Sequence, residues 1–220
     1  MAAGGASSRA GEAMGELCGM YWYPLYAYLR RRGYETHEAE DLTQEFFARL
    51  LAQHFPAGVD RRKGTFRSFL LGALKHFLAD QRDRDRAQKR GGGRTILSLD
   101  RLDAEARYRQ EPARDLTPEK MFEKQWALSI LEQVLSRLQA ELVAEGKAAL
   151  FEALKDVLTG AGTSNYAAIG TRLGISEGAV KVAAHRLRRR YRALLRQEIV
   201  QTVAGPEEVE DEIRYLLTCL

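Results

Sequence analysis

The stretch YAAIGTRLGISEGAVKVAAHRLRRRYRALL, residues 166–195, decides the fold of the second half of this 220-residue chain. Apolar residues recur at helical spacing on both sides of Gly174, a residue type that accepts the left-handed turn between two helices. Ser164 can cap the first helix and Ser176 the second, and Ile175 is expected to fill the corner between them. Two short helices joined by a glycine turn, the second strongly basic, predict a helix-turn-helix.

The second of these helices carries the residues that we expect to contact DNA. Residues 181–196 hold seven basic side chains and no acidic one. Residues near the helix start would meet base edges in a major groove, and the later arginines would meet phosphates. The predicted contact residues are Ser176, Glu177, Gly178, Lys181, Val182, His185, Arg186, Arg188 and Arg189. A basic helix that only faces solvent in a bundle is the plainer alternative.

The inward faces of the two helices follow from the same spacing. In the first helix the residues predicted to be buried are Ala167, Ala168, Ile169 and Leu173. In the second helix they are Val180, Ala183, Ala184, Leu187, Tyr191 and Leu194.

The rest of the chain also has helical apolar spacing, without a strand of useful length or an internal repeat. The further predicted helices cover residues 17–32, 36–55, 66–90, 118–138, 147–158 and 209–217. Gly33 is expected to end the first of them. Residues 91–118 break the pattern with Gly91–Gly93, Pro112 and nearly balanced charges, which is typical of a domain linker.

The predicted fold class is therefore all-α, with two small helical domains joined by a linker. The predicted parts are a flexible N-terminus (1–14), a three- or four-helix domain (15–90), a linker (91–118), a helix-turn-helix domain (119–200) and an acidic C-terminal helix (201–220).

Composition narrows the classes of function. Cys18 and Cys219 lie near opposite ends and are expected to be free thiols, and the histidines form no metal-ligand pattern with them. The stretch RGGGR at 90–94 lacks the lysine-serine ending of a phosphate-binding loop. No apolar run reaches the length of a membrane span and no signal-peptide core is present, so we expect a cytoplasmic protein without membrane insertion. Without a convincing nucleophile or acidic metal cluster, we expect neither an enzyme nor a cofactor.

Two stretches of the first domain combine charge with aromatic residues. Residues 35–45 hold five acidic side chains and no Lys or Arg, and Phe46 and Phe47 follow directly. The two phenylalanines leave a helix about 100° apart, which predicts one in the core and the other at the edge of an acidic docking patch. An ordinary amphipathic helix is the alternative. Residues 66–90 join aromatic and cationic groups, as strand opening requires, because stacking holds an unpaired base and cations hold the backbone.

Three stretches, in this order, resemble the ECF (extracytoplasmic function, group-four) sigma factors of bacterial RNA polymerase. AEDLTQEFFARLL, residues 39–51, is similar to region 2.2, which binds the clamp helices of the polymerase β′ subunit. GTFRSFLLGALKHFLADQRDRDRAQKR, residues 64–90, is similar to regions 2.3 and 2.4, which melt and read the −10 element. Residues 166–195 are similar to region 4.2, which reads the −35 element. The resemblance covers about residues 17–90 and 120–197.

The resemblance implies a transcription initiation factor without catalytic residues that binds core RNA polymerase, at the β′ clamp helices and the β flap, and directs it to promoters. Its DNA partners would be duplex promoter DNA and the melted single strand, and an anti-sigma factor or a kinase is a candidate regulator. The implied polymerase-binding residues are Asp41, Gln44, Glu45, Phe46 and Phe47. The implied −10 residues are Phe66, Arg67, Phe69, Lys75, His76, Arg82, Arg84, Arg86, Lys89 and Arg90. The implied −35 residues are the nine predicted contact residues named above, from Ser176 to Arg189.

Some positions depart from the family's pattern. Phe69 stands where tryptophan is frequent, His76 where asparagine is frequent, and Ala179 and Val182 where polar residues are frequent. The segment before the helix-turn-helix is longer than usual and lacks a Leu-Pro, which suggests a subgroup with an extended region 4.1.

The acidic tail, residues 206–220, lies outside this pattern and leaves three alternatives. It packs on the second domain, or it docks on the basic DNA-binding surface and restrains the free factor, or it binds a regulator. For the whole chain, the alternative function is a free-standing helix-turn-helix regulator with a helical dimerisation or sensing domain in front. That function would leave the aromatic and basic residues of 66–90 unexplained.

Overall fold

The fold is known from a computed structural model of the chain. It describes residues 15, 19–52, 64–87, 101–111, 116–159 and 165–220, without the side chains of 84–87, 101–103 and 159. Within these residues every regular element is a helix and no strand is present, which confirms the all-α fold class for that part of the chain. The predicted flexible N-terminus, most of the predicted linker and Cys18 lie outside the described residues.

The helices follow the apolar spacing of the sequence. In chain order they are α1 (19–31), α2 (Thr36–Ala52), α3 (Phe66–Ala87), α4 (Arg101–Gln110), α5 (Pro118–Ala144), α6 (Ala148–Thr159), α7 (Tyr166–Leu173), α8 (Glu177–Val200) and α9 (Val209–Thr218). A short 3₁₀ turn, Pro206–Glu208, leads into α9.

Local signals place most helix boundaries where the sequence predicts them. Gly33 has a φ of 92° and follows the end of α1, α2 begins at Thr36, and α5 begins at Pro118. One helix is longer than predicted, because the apolar positions of α5 continue to Leu142 and the chain turns only at Gly146, with a φ of 72°. No glycine or proline interrupts α5 after its first residue, so nothing in its backbone ends it earlier.

The helices form two compact units. The first holds residues up to Ser129 together with Thr202–Leu220, and the second holds Ile130–Gln201. This division passes through α5, whereas the sequence-based boundaries start the second domain at residue 119. The segment predicted as a linker also contains α4, whose Ala104 is buried. The glycine and proline content of residues 91–118 indicated a linker, but composition does not show that the helix within this segment packs into the unit.

An aromatic cluster forms the core of the first unit. Trp126 of α5 and Tyr21 of α1 are fully buried, and the Trp126 Nε1 donates a hydrogen bond of 3.2 Å to the Tyr21 hydroxyl. The ring of Phe66, at the start of α3, meets the Tyr21 ring edge-on at 5.2 Å. The Phe66 backbone N–H donates to the Thr202 carbonyl at 2.9 Å, which ties the C-terminal segment to this core. The polar atoms of Trp126 and Tyr21 are therefore hydrogen-bonded to each other inside the core.

A half-buried carboxylate, that of Glu105, joins α4 to α1. Glu105 accepts a 2.6 Å hydrogen bond from the Tyr26 hydroxyl and bonds of 3.1 and 3.2 Å from the Arg30 guanidinium. Burial by itself would raise the pKa of Glu105, but the hydrogen bonds from Tyr26 and Arg30 outweigh it and hold the pKa below its ordinary value. This ion pair is only about one-sixth exposed, with side-chain exposures of 17% and 15%, so it is shielded from salt more than a surface pair would be.

In the second unit, α5, α6, α7 and α8 surround an aliphatic core. Its fully or nearly fully buried members include Ile130, Val134, Leu138, Leu154, Val180, Leu187 and Leu194. Polar contacts at the rim join the end of α5 to α8: the Arg190 guanidinium donates hydrogen bonds of 2.7 and 2.6 Å to the two Glu141 oxygens, and Arg137 meets Glu198 at 2.7 Å. These pairs hold α8 against the end of α5 in the same unit.

Candidate nucleic-acid and polymerase interfaces

The turn between α7 and α8 has the geometry of a helix-turn-helix corner. Gly174 adopts a left-handed conformation with φ 68° and ψ 28°, as the sequence predicts. The Ile175 N–H donates to the Gly170 carbonyl at 3.0 Å and closes the turn. The expectation that Ile175 fills the corner is wrong, because this side chain is 40% exposed. The corner is instead filled by backbone at Gly170, where an added Cβ would lie 2.7 Å from the Ile175 carbonyl oxygen.

Capping side chains fix the start of both helices. The Ser176 Oγ accepts from the Ala179 N–H at 3.2 Å, which confirms the predicted cap of α8. At the start of α7 the Asn165 Oδ1 takes this role and accepts from the Ala168 N–H at 3.0 Å. Ser164, predicted as that cap, lies outside the described residues. Each cap satisfies a backbone donor that has no partner within its helix.

The buried face of α8 follows the prediction better than that of α7. Val180, Ala184, Leu187 and Leu194 are buried as expected, while Ala183 and Tyr191 are only half-buried. In α7, Ala167 and Ala168 are exposed, which contradicts their predicted place in the core, and Ile169 and Leu173 are half-buried. Gly170 is the buried residue of α7. A two-turn helix that approaches its neighbour through backbone leaves its alanines outside the contact.

The exposed face of α8 carries several of the predicted −35 residues. Lys181, His185 and Arg189 are exposed, and Lys181 pairs with Glu177 one turn earlier at 2.6 Å. That hydrogen bond raises the pKa of Lys181, so its ammonium stays charged. Arg188 is used partly inside the unit, because its Nη2 donates to the Val157 carbonyl at 3.3 Å. The Ser176 hydroxyl serves as the helix cap.

Other predicted −35 residues face a groove of their own unit. Gly178, Val182 and Arg186 border a space of about 500 Å³, whose other lining includes Leu142 at the end of α5 and Leu150 of α6. Val182 is 52% exposed there. The nine sequence-predicted residues are thus divided among the open basic face, the rim of an apolar groove and contacts inside the unit, a separation that the helical spacing alone does not reveal.

In α3 the aromatic residues predicted for the −10 element lie together. The rings of Phe66 and Phe69 stack at 6.3 Å with an angle of 25°, and both are half-buried. His76 is exposed two turns after Phe69, and Arg82 is exposed and donates to the Tyr34 hydroxyl at 3.3 Å. Arg84 and Arg86 belong to α3 but their side chains are not described, and Lys89 and Arg90 lie outside the described residues.

Two cations of the predicted −10 set already have carboxylate partners. The Arg67 guanidinium donates to both oxygens of Glu212, on α9, at 2.7 and 3.0 Å. The Lys75 ammonium lies 2.8 Å from Glu119 at the start of α5. Arg67 is only 12% exposed, so it is not displayed on the surface as the resemblance implies. The acidic tail belongs to the first unit, so packing on the second unit, one of the three alternatives from the sequence, is not what the structure shows.

The predicted polymerase-binding residues of α2 separate by exposure. Asp41 and Glu45 are exposed and Gln44 is half-buried. Phe46 and Phe47 are both buried, with exposures of 3% and 7%, so the expectation that one of them lies at the edge of a patch is wrong. The reason is the width of the contact face: α2 buries neighbouring positions as well as positions a turn apart, and Phe46 also meets the ring of Phe77 on α3 at 5.8 Å.

One residue of this helix was missed by the sequence reasoning. Leu51 is 43% exposed near the end of α2, beyond the acidic positions. The helical spacing gave no signal for it, because the adjacent residues Phe46 and Phe47 of the same helix are both buried. The exposed residues of α2 thus include two acidic side chains and an apolar one.

Two classes of site are not found in the part of the chain that the structure covers. No group of three or more His, Cys, Asp or Glu residues there is arranged to hold a metal ion. Among the same residues, no helix is both long and apolar enough to cross a membrane. Comparisons of the whole chain with protein-family models, with curated proteins and with solved structures found no match.

Proposed function

We propose that this protein is a transcription initiation factor of the sigma type, which binds core RNA polymerase and directs it to promoters. The observation that carries the proposal is the capped helix-turn-helix with an open basic face on α8. A helix of this kind enters a major groove with its first turns on base edges and its later cations on phosphates. Glu177, Lys181 and His185 are the side chains at the position for base contact.

The exposed part of α2 supports the second half of the proposal, which is polymerase binding. Asp41 and Glu45 lie one turn apart on the exposed face of α2, and a complementary basic helix of a large partner would fit them. Charge of one sign on a docking face raises the association rate and excludes partners of the same charge. Because Phe46 and Phe47 are in the core, their role is to hold α2 rather than to touch the partner.

The surface of α3 supports a contact with melted DNA. Half-buried Phe69 and exposed His76 lie on one side of the helix, and Arg82 adds an exposed cation less than two turns further on, about 120° around the helix. Aromatic faces stack unpaired bases of any sequence, and neighbouring cations hold the backbone. Weak contacts of this kind, joined to the helix-turn-helix by one polymerase, add affinity through effective concentration.

Polymerase binding is tested by reversing charge on α2. The double variant D41K/E45K should fail to comigrate with core polymerase and to support promoter-specific transcription, while its far-UV circular dichroism stays that of the wild type. The matched control is E207K/E210K, which makes the same change in net charge at two exposed positions of the C-terminal segment. Normal core binding by D41K/E45K would contradict the proposed docking face.

DNA contacts are tested on the polymerase complex with a promoter library. Lys181→Ala should relax sequence preference in the upstream element, whereas Arg189→Ala should weaken binding to all promoters and lower the salt slope by about 1. Lys120→Ala, an exposed cation on α5 in the first unit, is the control and should change neither. Tight, specific binding of a palindrome by the free chain, with no effect on polymerase, would instead favour a free-standing regulator.

A further inference from the structure

The C-terminal helix α9 closes over one end of α3. Glu212 accepts two hydrogen bonds from Arg67, and its side chain is only 5% exposed. The Arg67 guanidinium also lies over the Tyr215 ring, 4.0 Å from its centre, and over the Trp126 ring at 4.9 Å. A third carboxylate contact comes from Glu123 of α5 at 3.8 Å. Arg67 is thus held by a carboxylate and aromatic rings that lie far from it in sequence.

This arrangement uses the same side of Arg67 that a phosphate would use. A guanidinium presents a planar fork of N–H groups, and carboxylate and phosphate bind that fork in the same two-pronged way. The Nε and Nη2 groups of Arg67 are both taken by Glu212, so a phosphate oxygen can bind them only after Glu212 has left.

The helix that carries Glu212, α9, can detach readily from α3. It has ten residues and is anchored by few buried side chains, chiefly Val209 and Leu216. Isolated helices of this length are marginal in water, so α9 depends on its docking contacts to stay folded. Short elements with few buried contacts are the ones that open at the lowest free energy.

We propose that α9 is an intramolecular competitor of nucleic acid, which occupies Arg67 in the free protein and is displaced when a single-stranded backbone binds along α3. This inference rests on the proposed role of α3 in binding melted DNA. It adds a restraint: the free chain binds single strands weakly, because only the fraction with α9 displaced can use Arg67. Polymerase and promoter together would shift that fraction by supplying further contacts.

A single uncharged substitution on α9 tests the competition. Fluorescence anisotropy with a labelled single-stranded oligothymidine, at low ionic strength, measures the affinity of the free chain. Glu212→Gln keeps the shape of the side chain but weakens the charge-assisted bonds to Arg67, so we expect about tenfold tighter binding. Glu207→Gln makes the same change in net charge at an exposed position in the turn before α9 and should bind as the wild type does.

The outcomes separate this inference from the proposed function. If all three proteins bind equally, the competition is refuted and the role of α3 stands. If none of them binds the oligothymidine, even with core polymerase present, both the proposed role of α3 and the competition are refuted.

Hydrogen exchange provides a second measurement on the unaltered protein, which does not depend on how well Glu212→Gln folds. Saturating oligothymidine should accelerate amide exchange in α9 (Val209–Thr218) while it slows exchange in α3. Unchanged protection of α9 with oligothymidine bound would refute the displacement and make α9 a permanent part of the first unit.

Discussion

The corner between α7 and α8 is closed by a backbone contact that leaves no room for a side chain at Gly170. An added Cβ would lie 2.7 Å from the Ile175 carbonyl oxygen, where ordinary contact begins at 3.4 Å. The obstructing atom is backbone, so no side-chain rotation can relieve the overlap. The substitution Gly170→Ala therefore has to move the turn that positions α8.

Two opposing effects set the size of the change. Alanine is favoured over glycine inside a helix by about 1 kcal/mol, while forcing an extra carbon into a packed site costs about 1–3 kcal/mol. The contact here is close and rigid, so we expect the upper part of that range and a net loss of about 1–2 kcal/mol. Gly178→Ala is the control, because its Cβ would meet nothing nearer than the Ser176 Oγ at 4.0 Å. That variant should be unchanged or gain up to about 1 kcal/mol.

Native-state hydrogen exchange of the α7 and α8 amides is the suitable assay, since it reports on this unit even if the two units unfold separately. Exchange should become about tenfold faster in Gly170→Ala and stay as slow as the wild type, or slower, in Gly178→Ala. Promoter binding by the polymerase complex should also fall in Gly170→Ala, because α8 loses its set orientation. Wild-type exchange rates in Gly170→Ala would refute the close backbone approach.

Two further predictions concern the ion pairs. Because the pKa of Glu105 is lowered in the folded protein, its ionised carboxylate stabilises the fold fully above the ordinary pKa of 4.5. That contribution is lost as the pH falls through the lower folded value. Glu105→Gln should therefore reduce the melting temperature at pH 7, and the difference from the wild type should disappear in acid. A gap that stays constant in a melting series from pH 7 to pH 3 would contradict that carboxylate's role. The Glu141–Arg190 pair is much more exposed, so Glu141→Gln should cost no more than about 1 kcal/mol in urea unfolding, and that loss should shrink in high salt. A larger loss that is insensitive to salt would show that the contact is shielded.

The polar residues of the candidate sites show where sequence reasoning stops. Exposure of Asp41, Glu45 and Lys181 follows from helical spacing, and the structure agrees with it. Arg67 has the same signal as any other cation in a basic stretch, yet it is nearly buried against a residue 145 positions away. Phe47 was expected at a surface edge, but α2 buries a face wide enough to include it. In each of these cases the deciding contact comes from another helix.

By itself, the sequence determined most of the helices apart from α4, together with the glycine turn, the cap at Ser176 and the amphipathic pattern of the tail. These features depend on contacts within about four residues, where backbone geometry and side-chain chemistry are already set. Only the tertiary structure decided that the unit boundary passes through α5, that Gly170 must lack a side chain, and that α9 pairs Glu212 with Arg67. Those facts depend on which distant surfaces pack together. That packing is decided by the shape and charge of a whole helix face, and these cannot be read from residues that are neighbours in the chain.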